Sequence, residues 1–171
     1  NNFAEAKQAV AKTQEKAGKE FPNVISEAQL VMALAQSYSG AAAAGKALAS
    51  QAFEAAKLSA DPTKLAQAQL VFAETLLISG DSQAAASNAA QAAETFVRLD
   101  QEESAWRALT LAAQASQNLG DKSKAREYAL QARDSHSKLE QRWNAESYKS
   151  YLSRPDIQRL RKQLDQLPSA T

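Results

Sequence analysis

Three glycines constrain this chain more than any other feature. Gly40, Gly80 and Gly120 stand 40 residues apart without slippage, and each separates two alanine-rich runs. Small residues recur at fixed offsets around them. Five residues after each glycine come Gly45, Ala85 and Ala125; nine after come Ala49, Ala89 and Ala129; twelve after come Ala52, Ala92 and Ala132; seven before come Ala33, Ala73 and Ala113. Selection for small size at these twelve positions has a steric meaning. Two helices approach to the short end of the ~8–10 Å range only where side chains are small. A repeat of this length is one supersecondary unit that cannot bury its apolar face alone and stacks on its neighbours.

The elements between the glycines are helices. Alanine, the best helix former, supplies 38 of the 171 residues, against five valines and three isoleucines. Asp61 followed by Pro62 reads as an N-cap and a first helical position. Asp100 with Glu103 reads as a capping box with aspartate in place of Ser or Thr. The pattern predicts helices near residues 3–20, 24–39, 41–58, 62–79, 81–99, 101–119 and 121–143. Pro22, within "KEFPN" at 19–23, reads as the breaker that closes the first. Asn144 reads as a left-handed C-cap, followed by a short helix near 145–152. Ser153 then reads as the cap of a last helix that has Pro155 in its first turn and ends near Leu167; the tail "PSAT" is expected to fray.

These residues resemble the tetratricopeptide repeat. "LGDKSKAREYALQA" is the best match, "SGDSQAAASNAAQA" follows it, and "SGAAAAGKALASQA" keeps the small residues but loses the acidic one. "NNFAEAKQAV" looks like the second helix of an earlier repeat whose first helix is missing, as in an excised fragment. The period is longer than the usual ~34 residues of that family. Its large aromatic early in the first helix is replaced by Gln29, Gln69 and Leu109. The resemblance implies an all-α fold, a right-handed α-solenoid of antiparallel helix pairs. Repeats are expected over residues 1–143, with C-terminal capping helices and a frayed tail over 144–171. The stretch "RWNAESYKSYLSRPDIQRLRKQL" looks like the closing segment of repeat regions at the ends of large bacterial signalling proteins.

Several function classes find no support in the sequence. Net charge is +1, with −3 over residues 1–119 and +4 over 120–171, so no global field points to nucleic acid or a membrane. Without cysteine there is no disulfide framework and no thiolate metal site. No apolar run approaches the ~20 residues of a bilayer span. No signal peptide opens the chain, which leaves a cytoplasmic location as the expectation. His136 is the only histidine; it falls on the polar part of a helix and is expected at the surface. No phosphate-cradling glycine loop is present. Glu102 and Glu103 sit in a first helical turn, where they favour the helix dipole. The chain is therefore expected to be no enzyme and to need no cofactor or metal.

The expected function is protein–protein interaction, through a bound peptide or protein segment or by docking domains of the parent protein; a structural spacer or dimerisation segment of a bacterial signalling protein is the alternative, and nucleic-acid binding through the basic end ranks below both. In stacked helix pairs the first helix of each pair lines the concave side. By resemblance, the inward positions are Leu30, Leu34, Ser37 and Tyr38; then Leu70, Glu74, Leu77 and Ile78; then Thr110, Gln114, Gln117 and Asn118. One turn further out lie Glu27, Gln67 and Arg107. The resemblance also implies no clamp for a C-terminal carboxylate, because only Arg107 offers suitable chemistry. An apolar protein or peptide segment with some amide bonding is the expected partner. A homodimer is the other possible assembly, and neither nucleic acid nor membrane is expected. Trp106, Trp143, Tyr148 and Tyr151 are expected to plug the end of the stack, with Ile157, Leu160, Leu164 and Leu167 packing back as one stripe.

Overall fold

The computed structural model describes residues 3–17 and 22–168. Among these, all regular structure is helical: α1 (Phe3–Ala17), α2 (Pro22–Tyr38), α3 (Ala42–Lys57), α4 (Pro62–Ile78), α5 (Ser82–Arg98), α6 (Glu102–Asn118), α7 (Lys122–Arg142), α8 (Ala145–Leu152) and α9 (Pro155–Asp165). The expected end of the first helix at 18–21, the opening Asn1-Asn2 and the final Ser-Ala-Thr lie outside the described residues. Pro22 stands at the start of α2, where its missing N–H is no loss.

The chain forms two compact units, divided between Asp81 and Ser82. In the first, α1 packs on α2, α2 on α3 and α3 on α4, and α2 also touches α4. In the second, α5 packs on α6 and α6 on α7, while α9 lies against α6, α7 and α8. Within the units, α2 and α3, α3 and α4, α5 and α6, and α6 and α7 are joined by segments of three or four residues. This is a helical repeat within each unit, and the small residues are its packing surface: all twelve are buried.

The three spaced glycines close helices in one way. After α4, Asp81 N donates to Leu76 O at 2.9 Å and Gly80 N to Leu77 O at 3.1 Å. That is the Schellman pair of bonds, which needs a left-handed residue at the turn. Gly80 has φ +84°, and Gly40 and Gly120 have φ +92° and +78°. Asp100 takes the same place after α5, with φ +57°. Gln101 N donates to Phe96 O at 2.9 Å and Asp100 N to Val97 O at 3.1 Å. The capping-box reading of Asp100 is thus corrected: Asp100 ends α5, and Gln101 stands at the N-cap of α6 without a side-chain cap bond. The Asp100 carboxylate meets Arg142 of α7 at 2.8 Å instead. That hydrogen bond holds the Asp100 carboxyl below its usual range.

Two other cap assignments are corrected. Asn144 is extended and caps the N-terminus of α8, accepting from Ser147 N at 2.9 Å. Ser153 closes α8 through a bond to Ser150 O, and Arg154 stands before Pro155 at the start of α9. Asp61 is the N-cap expected, accepting from Thr63 N at 2.9 Å and Lys64 N at 3.3 Å. We expect Asp61→Ala to lower stability in urea denaturation by about 1 kcal/mol, and Asp61→Asn to lose much less.

Candidate functional site

In the first unit, α2 and α4 flank a cavity of about 200 Å³ over the C-terminal end of α3. Glu27 and Leu30 line it from α2, Lys64 and Gln67 from α4, and Ala56 and Ser59 from below. Its floor continues into a core where Phe53, Ala56 and Ala68 pack with Leu30, Leu65 and Phe72. The rings of Phe53 and Phe72 stack with centroids 5.4 Å apart. The cavity thus has an aliphatic floor and a rim of one carboxylate, one ammonium and one amide. Lys64 was not among the expected site residues. It sits in the first turn of α4, where Asp61 Oδ2 lies 3.8 Å from its Nζ; the i,i+3 spacing from the cap was the available signal.

The remaining positions of the first unit divide by burial. Leu34, Leu77 and Ile78 are half-buried, and Ser37, Leu70 and Glu74 are buried. Tyr38 donates its hydroxyl to the Glu74 carboxylate and stacks on Phe3 of α1, centroids 6.1 Å apart. The C-terminal end of α2 is therefore engaged by α1 and α4, and the open surface lies nearer Glu27, Leu30 and Gln67.

In the second unit, Thr110 is fully buried and its hydroxyl donates to Trp106 O at 2.7 Å. It presents no surface to a ligand. Gln114 is half-buried, and Gln117 and Asn118 are exposed. Asn118 Nδ2 donates to Ser82 Oγ at 3.3 Å. Arg107 pairs with Glu103 at 3.3 Å one turn back. A second concavity of about 540 Å³ lies between α5 and α7, with Val97 and Tyr128 on its sides and Leu109 at its base.

The C-terminal aromatics close the end of the second unit. Trp106, Tyr148 and Tyr151 are buried, while Trp143 stays 38% exposed with its ring edge-on to Tyr151. Trp106 Nε1 donates to the Tyr151 hydroxyl at 2.8 Å. Burial, with the Glu103 charge beside it, pushes the Tyr151 phenol far above its usual range. Ile157, Leu160, Leu164 and Leu167 are all buried. Arg133 of α7 fixes the far end of α9, donating to the carbonyls of Leu164, Leu167 and Pro168 at 2.9, 3.0 and 3.1 Å. His136 is not the surface residue expected. It is half-buried between Trp106 and Tyr148.

No group of three metal-ligating side chains stands together among the described residues, and no described helix is long and apolar enough to cross a membrane. No protein-family model matches the sequence, and no curated protein is significantly similar to it. Among solved structures, the crystal structure of BtubC (BKLC) from P. vanneervenii is similar with a TM-score of 0.65. The match covers 95% of this chain and 70% of that one at 18% identity. At that identity the likeness speaks to the fold alone.

Proposed function

We propose that this chain is a tetratricopeptide-like interaction module, a right-handed α-solenoid whose first helices hold a protein or peptide segment. The observation that carries this reading is the cavity between α2 and α4, where Glu27, Leu30 and Gln67 meet. Leu30 is a position that the repeat resemblance directs inward, and Glu27 and Gln67 lie one turn further out on the same first helices. A floor of Leu30 and Ala56 suits one aliphatic side chain of an extended segment. Gln67 and Ser59 suit its backbone amides, which gain from fixed partners as strand-like ligands do in other preformed grooves. The walls are helices already packed on their neighbours, so the ligand carries most of the ordering cost.

A photo-reactive residue placed at exposed Glu27 or Gln67 is expected to cross-link a partner from extracts of the source cell. The same residue at exposed Gln51 or Gln91, on the second helices, is expected not to. Cross-links confined to the second helices would overturn the reading. So would light scattering that shows a tight dimer with the α2 and α4 faces buried against each other.

A further inference from the structure

Four helices of the second unit meet at one imidazole. His136 of α7 lies edge-on to the Trp106 ring of α6, centroids 4.9 Å apart, and beside the Tyr148 ring of α8, centroids 5.9 Å apart. The Tyr148 hydroxyl is 3.4 Å from Nε2 and 3.5 Å from Nδ1. That is too long, and too evenly shared, for a strong bond to either nitrogen. The charged groups facing the ring are Arg161 and Asp165 of α9 and Glu140, one turn along α7. From α6 comes the Trp106 indole and from α8 the Tyr148 phenol, neither charged at neutral pH. An imidazolium here loses water to two aromatic walls and is repelled by Arg161, and Glu140 and Asp165 offset this only in part.

We infer that His136 is a proton-operated latch for α8 and α9. Neutral, it completes the aromatic junction that holds them on α6 and α7; protonated, it loosens them. The consequence reaches α6, because Tyr151 of α8 bonds Trp106 and its hydroxyl lies 3.4 Å from Glu103, the partner of Arg107. Loosening α8 therefore changes the surroundings of Arg107. The latch itself does not depend on what that face binds.

Burial, and then Arg161, hold the imidazole below its ordinary value of 6.5. The folded chain thus binds fewer protons than the unfolded chain at mildly acid pH. The contribution to stability is fully present above pH 6.5 and falls as pH drops from there through the folded value.

One histidine makes the test clean. Proton NMR of the full chain follows the imidazole between about pH 7.5 and pH 5, where carboxylates near their usual values stay mostly ionised. Amide exchange, corrected for its intrinsic pH dependence, follows α8 and α9 over the same range. The imidazole is expected to titrate below 6.5. The α8 and α9 amides are expected to lose protection several-fold at the acid end, with α2 and α3 unchanged, and His136→Phe to abolish the loss. Should that variant not fold, Arg161→Gln is expected to raise the imidazole value and shrink the loss. An imidazole titrating at or above 6.5, protection indifferent to pH, or a loss that persists in His136→Phe would each overturn the latch.

Discussion

Gly45→Ala is expected to destabilise the first unit by about 2 kcal/mol or more, although alanine is the better helix former. Gly45 stands inside α3, without positive φ, and its role is clearance. A methyl group there would press on Ser37 Oγ and lie 2.5 Å from Ala33 O and 2.8 Å from Ser37 N. The hydroxyl can rotate away; the two backbone atoms of α2 cannot. Overpacking costs ~1–3 kcal/mol where side chains can shift, so a clash with backbone belongs at or above the top of that range. The helix-propensity gain of ~1 kcal/mol offsets only part of it. Ser37→Ala separates the two contacts. Ser37 Oγ has no hydrogen-bond partner among the described residues, so that substitution alone is expected to be near neutral. Combined with Gly45→Ala, it is expected to recover only a minor share of the loss. Full recovery in urea denaturation would show that the helices are held apart by the hydroxyl and not by their backbones.

Gly80 makes the contrast. A Cβ added there meets nothing within 4 Å, but φ is +84°. Its replacement by alanine is a purely conformational penalty, smaller than the clash at Gly45. Two glycines five residues apart in the repeat register thus serve unrelated purposes, one for a left-handed turn and one for a close helix crossing.

The turn glycines and the small-residue positions were legible in the sequence because each reflects a local rule with few exceptions. Only glycine adopts φ near +80° at little cost, and only small side chains permit tight crossings. The caps were less legible because aspartate and asparagine serve two conformations. Asp100 has the composition of an N-cap, yet its backbone is left-handed and its carboxylate reaches Arg142, which is 42 residues along the chain. No local pattern could report a partner so distant. Asn144 failed in the opposite sense, expected left-handed and found extended as an N-cap. Ser153 and Arg154 differ by one residue, the usual slack at a helix end.

The candidate site residues differ widely in depth, which the helical register alone does not report. Leu30 lines the cavity of the first unit beside Glu27 and Gln67, which lie one turn further out. Thr110 belongs to the same register yet lies fully buried, because its hydroxyl is satisfied within its own helix by Trp106 O. Threonine can bond the carbonyl four residues back, so its polarity says little about exposure. His136 was misplaced for a related reason. Its neighbours along α7 are polar, but the rings that cover it come from α6 and α8, and their approach depends on how the last helices fold back.

The same fold-back makes Trp106 the residue whose loss should be felt most in the second unit. Its ring is fully buried and makes three attachments at once. Nε1 donates to Tyr151 of α8, the ring packs edge-on with His136 of α7, and its carbonyl accepts from Thr110 within α6. Trp106→Ala removes the first two and leaves a cavity, for an expected cost of about 3–5 kcal/mol. That is comparable to the whole stability of a marginal domain. Trp106→Phe keeps an aromatic wall for His136 but deprives the buried Tyr151 hydroxyl of its donor, leaving it Glu103 at 3.4 Å among the described residues. The expected cost is about 1–3 kcal/mol. Because the chain has two tryptophans, both variants leave Trp143 as the lone indole. Its ring lies 5.2 Å from that of Tyr151, so its fluorescence reports whether α8 remains docked. In urea, the alanine variant should lose the docked signal well before far-ultraviolet dichroism reports loss of helix. If both signals fall together, at a midpoint close to that of the native chain, then α8 and α9 are held by Arg133 and the α9 stripe and the aromatic junction is incidental.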